Sequence, residues 1–171
     1  GINVWELISL ANRHPRVNIL NPGCGVGGHC IAVDPWFIVH AGGYEARLIK
    51  SAREVNDHKA EWCIEKIKNA ALKFELQNGR KPKVACMGLA FKPDIDDLRE
   101  SPALNITKCL IADGVDVIAV EPNIKAHKDF EIADYKKAIE ISDIIVFLVG
   151  HKEFKGLKIE KEVLDFCGIC K

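Results

Sequence analysis

From Lys83 onward, short apolar runs alternate with stretches of helical spacing. Ile144–Val149 is apolar without interruption, Val84–Gly88 and Val115–Val120 are nearly so, and Val163–Phe166 has a similar character. A strand without a polar face has to be covered on both sides, which is the situation of a parallel sheet between layers of helix. The helices are marked by their ends. Pro102–Asp113 has Ser101 in the cap position, Pro at its first residue and Gly114 after it, and Tyr135–Ile141 is preceded by Asp134. Right-handed crossovers between such strands give residues 80–171 a Rossmann-like α/β topology.

Residues 1–79 read differently. Val4, Leu7, Ile8 and Ala11 recur at helical spacing behind Asn3. From about Tyr44 to Asn78, Leu48, Ala52, Val55, Cys63, Ile67, Ala70 and Phe74 form one stripe, with Arg53 and Asp57 four apart on a polar face, and Gly79 and Pro82 end it. Such a helix would span roughly 50 Å at 1.5 Å per residue. A helix of that length rarely buries its face within one subunit, so this segment is expected to be a mainly helical arm that forms a homodimer. Between the helical stretches, His14–Pro35 is rich in Gly and Pro and reads as loop, with Asp34-Pro35 interrupting any helix. The chain opens at Gly1 with a helical pattern almost at once, as expected of a piece of a longer protein.

Composition narrows the partners. Lys and Arg number 24 against 24 Asp and Glu, and this neutral balance argues against general affinity for nucleic acid. Cys24, Cys30, Cys63, Cys86, Cys109, Cys167 and Cys170 are irregularly spaced in a chain long enough to bury a core without staples. Free thiols and a reducing cytoplasm are the expectation. Cys167 and Cys170 are one pair, too few for a zinc site. No apolar run approaches the ~18 residues of a membrane span, so no membrane partner is expected.

Two segments carry chemistry. Asn21–Pro35 reads NPGCGVGGHCIAVDP, and Gly23, Gly25 and Gly28 fit the dinucleotide pattern G-x-G-x-x-G. That pattern needs a buried strand before it and a helix opening within it, and neither is evident. Glu121 stands at a strand end where a ribose-binding acid would sit, but the first turn of its sheet, Gly88-Leu89-Ala90, lacks the glycine triplet. The sheet domain thus has no visible NAD site. The loop glycines let backbone approach a ligand, and exposed N–H groups there can hold a phosphate or sugar oxygen; a loop that only turns the chain is the alternative. Cys30 follows Gly27-Gly28-His29, and Asp34 shares its face if a helix starts nearby. A thiolate is a strong nucleophile and a carboxylate can orient water, although a lone Cys is often a small buried hydrophobe. The second segment, Gly88–Pro102, follows the first strand, where open α/β sheets bind ligands. Lys92 can neutralise a phosphate and Arg99 can clamp one, unless Asp96 and Asp97 pair with them. His40, His58, His127 and His151 are scattered and suggest no role.

NPGCGVGGHCIAVDPWFIV and GLAFKPDIDDLRESPA, with Ala52-Arg53-Glu54-Val55-Asn56-Asp57 between them, resemble the substrate-loop and UDP-domain motifs of the UDP-glucose/GDP-mannose dehydrogenase family. The resemblance covers essentially the whole chain. It implies an N-terminal domain for NAD, a central helical region that forms the dimer, and a C-terminal Rossmann-like domain that binds UDP. This chain would hold the end of the central region (1–79, with the substrate loop at 21–35) and the UDP domain (80–171), and alone would be inactive. The implied reaction oxidises a UDP-sugar C6 alcohol to a carboxylate with two NAD+. IAVDPWFIV, with His before the Cys, is most similar to members acting on UDP-N-acetyl-D-mannosamine. UDP-glucose and UDP-N-acetylglucosamine are the alternative substrates, and a non-catalytic nucleotide-sugar module is the alternative role. Cys30 would carry the thiohemiacetal and thioester, and Asp34 would position water. Asn21, Gly23, Gly25 and Gly27 would hold the sugar diphosphate, and Phe91 and Lys92 would touch substrate. His14 and Arg16 would reach the substrate of a second subunit. Cys30, Val33 and Arg99 would touch the cofactor. The family often has a basic residue for substrate near its C-terminal end, and Val163–Cys167 departs from that pattern.

Overall fold

The computed structural model describes residues 1–170. Its apolar runs form a parallel sheet of β1 (Lys83–Met87), β2 (Asp116–Val120), β3 (Ile144–Phe147) and β4 (Glu162–Asp165), in the spatial order β2-β1-β3-β4. The two central strands explain the absence of polar alternation. Val84, Cys86, Ile144 and Val146 face one core, shared with α3 (Arg47–Asn78) and α4 (Pro102–Ala112). Ala85, Met87, Ile145 and Phe147 face a second core, shared with α5 (Tyr135–Ile141) and Phe154. Successive side chains point to opposite faces, so a strand between two cores must be apolar throughout.

The helix ends follow the expected chemistry. The Ser101 hydroxyl accepts from Leu104 N–H at 3.3 Å, and the Asp134 carboxylate accepts from Lys136 and Lys137 N–H. Gly79 closes α3 with φ +67° and donates to the Glu75 carbonyl. Asn3 caps α1 (Val4–Ala11), accepting from Trp5 N–H at 3.0 Å.

Four details correct the expectations. Asp34-Pro35 does not interrupt a helix but opens α2 (Asp34–Gly42). The N–H that proline lacks would have no partner in a first turn, and its fixed φ suits one. The long helix starts at Arg47, after a single 3-10 turn at Gly43–Ala46, and runs 32 residues. Its stripe divides in two. Ala60, Cys63, Ile67, Ala70 and Ala71 are buried against the sheet, whereas Leu48 and Val55 are 83% and 71% exposed. Arg53 pairs with Asp57 at 3.0 Å as its spacing suggests, but its side chain is only 11% exposed and borders a cavity rather than a polar face. Among the described residues no helix is long and apolar enough to cross a membrane.

Candidate functional site

The glycine-rich loop lies across α3 and the connection from β1 to α4. Asn56 of α3 clips it from one side, its Oδ1 accepting from Val26 N–H at 2.7 Å and its Nδ2 donating to the Val26 carbonyl at 3.3 Å. From the other side the Arg99 carbonyl accepts from Gly28 N–H at 3.2 Å. A side chain at Gly27 would run into the Glu100 carbonyl and Pro102. Gly28 has φ +96° and backs onto the Phe91 ring, where an added Cβ would lie 3.1 Å from the nearest ring carbon. Gly27 is set by close approach of two backbones and Gly28 by its positive φ against a ring, the uses to which a residue without Cβ is suited.

Cys30 stands exposed beyond this docking point. Its carbonyl accepts from Val33 N–H at 3.0 Å and Asp34 N–H at 2.8 Å, so one helical turn separates Cys30 from Asp34 at the start of α2. The neighbouring thiols differ. Burial pushes Cys24 and Cys86 up to about 12 and Cys63 up to about 11. Cys24 donates to the Leu148 carbonyl at 3.5 Å. Arg99 is held cationic first by its hydrogen bonds to Asp97, at 2.6 to 3.0 Å. The same hydrogen bonds hold the Asp97 carboxyl at about 2. The carboxylate alternative therefore holds for Arg99 and Asp97, while Lys92 makes no ion pair among the described contacts and lies 5.6 Å from the Phe91 ring centre.

A cleft of about 510 Å³ opens between the loop and the carboxyl ends of β1 and β3. It brings Asn21, Gly23, Gly25, Phe91 and Lys92 together, with Lys155 opposite. Gly27, Cys30 and Asp34 do not line it. Val33 borders a second cavity of about 600 Å³ with Trp36, Arg53 and Asn56. His14 and Arg16 line neither cavity; they lie exposed in the turn after α1, where the His14 Nδ1 accepts from Arg16 N–H at 3.2 Å.

The sheet domain does not fit a dinucleotide. Glu121, at the ribose-binding position, is buried with both oxygens occupied. Its Oε2 accepts from Leu89 N–H at 2.7 Å and Ala90 N–H at 2.9 Å and lies 2.9 Å from His151 Nε2, and its Oε1 accepts twice from Asn123. Burial works to raise this carboxyl, but hydrogen bonds from His151, Leu89 and Asn123 prevail and hold it down at about 2. His151, which suggested no role, is thus fully buried against a carboxylate that looked like a misplaced ribose acid. The available signal was a lone charged or titratable residue just past an apolar run, once after β2 and once after β3. Lys155 was also not anticipated; it follows buried Phe154 and lines the cleft together with Lys92.

Residues 1–58 match the central domain, and residues 85–166 the UDP binding domain, of the UDP-glucose/GDP-mannose dehydrogenase family. The chain is 52% identical, over 97% of its length, to a UDP-N-acetyl-D-mannosamine dehydrogenase from Campylobacter jejuni, covering 41% of that protein. It is 51% identical, over 94% of its length, to an NDP-N-acetyl-D-galactosaminuronic acid dehydrogenase from Ralstonia nicotianae, covering 38% of it. The structure of a UDP-D-ManNAc dehydrogenase from Pyrococcus horikoshii superposes with a TM-score of 0.82 at 32% identity, over 100% of this chain and 42% of that one. The chain thus spans about two fifths of the length of the relatives it matches.

Proposed function

The chain belongs to the UDP-glucose/GDP-mannose dehydrogenase family, and from that membership we propose that it is the substrate-holding part of an NAD-dependent UDP-sugar 6-dehydrogenase. One juxtaposition carries the reading. An exposed thiol, Cys30, sits at one end of a docked glycine loop whose other end lines a cleft with Phe91 and Lys92. Lys92 and Lys155 offer two cations to a diphosphate, and the loop from Asn21 to Gly27 follows the sugar from the diphosphate toward Cys30.

NAD supplies the acceptor for two hydrides. The occupied Glu121 carboxylate leaves it no ribose site in the sheet domain, so it binds in another unit and this chain alone does not turn over. Cys30, Val33 and Arg99 are the residues of this chain that would touch the nicotinamide. Once the C6 alcohol has lost one hydride and one proton, it is an aldehyde. The Cys30 thiolate adds to the aldehyde carbon, giving a thiohemiacetal. Loss of a second hydride and a proton gives a thioester. Water, positioned by Asp34, adds to the acyl carbon, the thiolate leaves, and the carboxylate is released. His14 and Arg16, which do not line this cleft, reach the substrate of a second copy across a homodimer built on the exposed half of α3.

The sugar is N-acetyl-D-mannosamine on this reading, supported by the relative from Campylobacter jejuni. The similarly close relative from Ralstonia supports a second reading, an N-acetylated galacto-configured sugar. The chemistry is tested in the enzyme that joins this chain to its nicotinamide unit. Cys30→Ala is expected to stop acid formation from UDP-N-acetyl-D-mannosamine while leaving UDP affinity within about threefold, because the thiol acts on the sugar and not on the diphosphate. Persistent acid formation would remove Cys30 from the reaction.

A further inference from the structure

We propose that Glu121 and His151 are positioning residues that hold the Phe91–Lys92 segment in its ligand-binding shape; this rests on the reading of the cleft as a UDP-sugar site. The two side chains come from the strands on either side of β1, Glu121 from the end of β2 and His151 from the turn after β3. The chain leaving β1 passes between them. Leu89 and Ala90 N–H both donate to Glu121 Oε2, and Asp94 N–H donates to His151 Nδ1 at 3.0 Å. The three residues between these anchors are Phe91, Lys92 and Pro93, and all three line the cleft. The pair therefore fixes both ends of the segment that meets the ligand while touching none of the ligand itself.

The hydrogen-bond pattern assigns the proton. Nδ1 receives the Asp94 N–H and faces the Asn123 amide nitrogen at 3.1 Å, so it is an acceptor. Nε2 then carries the hydrogen and donates to Glu121 at 2.9 Å. Both side chains are 0% exposed. A buried pair of this kind is retained only when each polar atom has a partner, and here the partners are the backbone of the segment being held. Asp94 needs holding. Its φ of +61° is a left-handed conformation unusual for a residue with a side chain. Its own carboxylate accepts from Lys152 N–H at 2.9 Å, which ties the segment a second time to the turn that carries His151.

The test is calorimetric titration of UDP into the chain and its variants, with thermal unfolding as the check on folding. His151→Leu fills the space of the ring but makes neither hydrogen bond, and is expected to weaken UDP binding about tenfold. His151→Gln can donate to Glu121 and accept from Asp94, and is expected to bind within about threefold of the parent chain. Should His151→Leu not fold, Glu121→Gln takes its place with the same tenfold expectation, since it loses the carboxylate and sets an amide N–H against a donor. Lys92→Ala serves as the control on the cleft itself. If Lys92→Ala weakens UDP but His151→Leu does not, or if Leu and Gln at 151 weaken it equally, the positioning proposal is wrong and the cleft stands. If Lys92→Ala leaves UDP affinity unchanged, the cleft reading fails and takes the positioning proposal with it.

Discussion

Cys30 meets solvent where Cys24, Cys63 and Cys86 meet the packed interior. A buried thiol whose ionisation is suppressed reacts slowly, so exposure alone sorts these residues chemically. Brief alkylation of the folded chain at neutral pH is expected to modify Cys30 and the exposed Cys170, leaving those three untouched until the chain is unfolded. Peptide mass spectrometry reads the order, and early modification of Cys24 would mean that the loop is not docked on α3. Glu121 gives a second prediction at this scale. Its carboxyl falls from an ordinary 4.5 to about 2 in the fold. A lowered carboxyl stabilises the native state fully above its unfolded value and loses that contribution as pH falls through the folded one. Stability should therefore decline between pH 4.5 and 2 in the parent chain, and Glu121→Gln should flatten part of that decline in denaturant titrations. An unchanged slope would mean that the carboxylate is not paired as described.

The elements show what could be read in advance and what could not. The central strands β1 and β3 were visible as apolar runs, because burial on both faces leaves no room for a polar alternate, and the half-buried edge strands β2 and β4 showed as shorter apolar runs beside Asp116, Glu162 and Asp165. Ser101, Asp134 and Gly79 marked helix ends because capping is local chemistry. The failures were tertiary. Pro35 looked like a breaker because residue type alone does not distinguish a first turn from an interior one. Arg53 looked solvated because its burial comes from a loop more than twenty residues away in sequence. Glu121 and His151 lie 30 residues apart, and only the sheet order brings them together around β1. Of the candidate cleft, the lining by Asn21, Gly23, Gly25, Phe91 and Lys92 was legible from the motifs; Lys155 and the buried pair were not. The packing of α3 gives a direct prediction. Ile67 is fully buried against the sheet, so Ile67→Ala should lower unfolding free energy by roughly 2–5 kcal/mol. Gly27→Ala should undock the loop, because its methyl meets the Glu100 carbonyl, and UDP affinity should fall with it. Calorimetry checks both, and an Ile67→Ala chain of parental stability would contradict the placement of α3.

Taken as a molecule, the chain has two unlike ends. The sheet domain buries its apolar residues in two cores, whereas Leu7, Leu10, Phe37, Ile38, Tyr44, Leu48 and Val55 are all exposed in the helical part. A surface with so many large apolar side chains calls for cover, and the proposed homodimer supplies it. Sedimentation should find the chain associated at micromolar concentration and Leu48→Glu should dissociate it; a parental monomer would contradict the dimer. On the proposed function, Cys30 carries a sugar through two oxidations beside a cleft that grips its diphosphate. The most direct measurement is the yield of NADH per UDP-N-acetyl-D-mannosamine consumed by the enzyme that contains this chain. Two NADH are expected, with the C6 carboxylate as product. One NADH with a free aldehyde, or two in a Cys30→Ala enzyme, would contradict it.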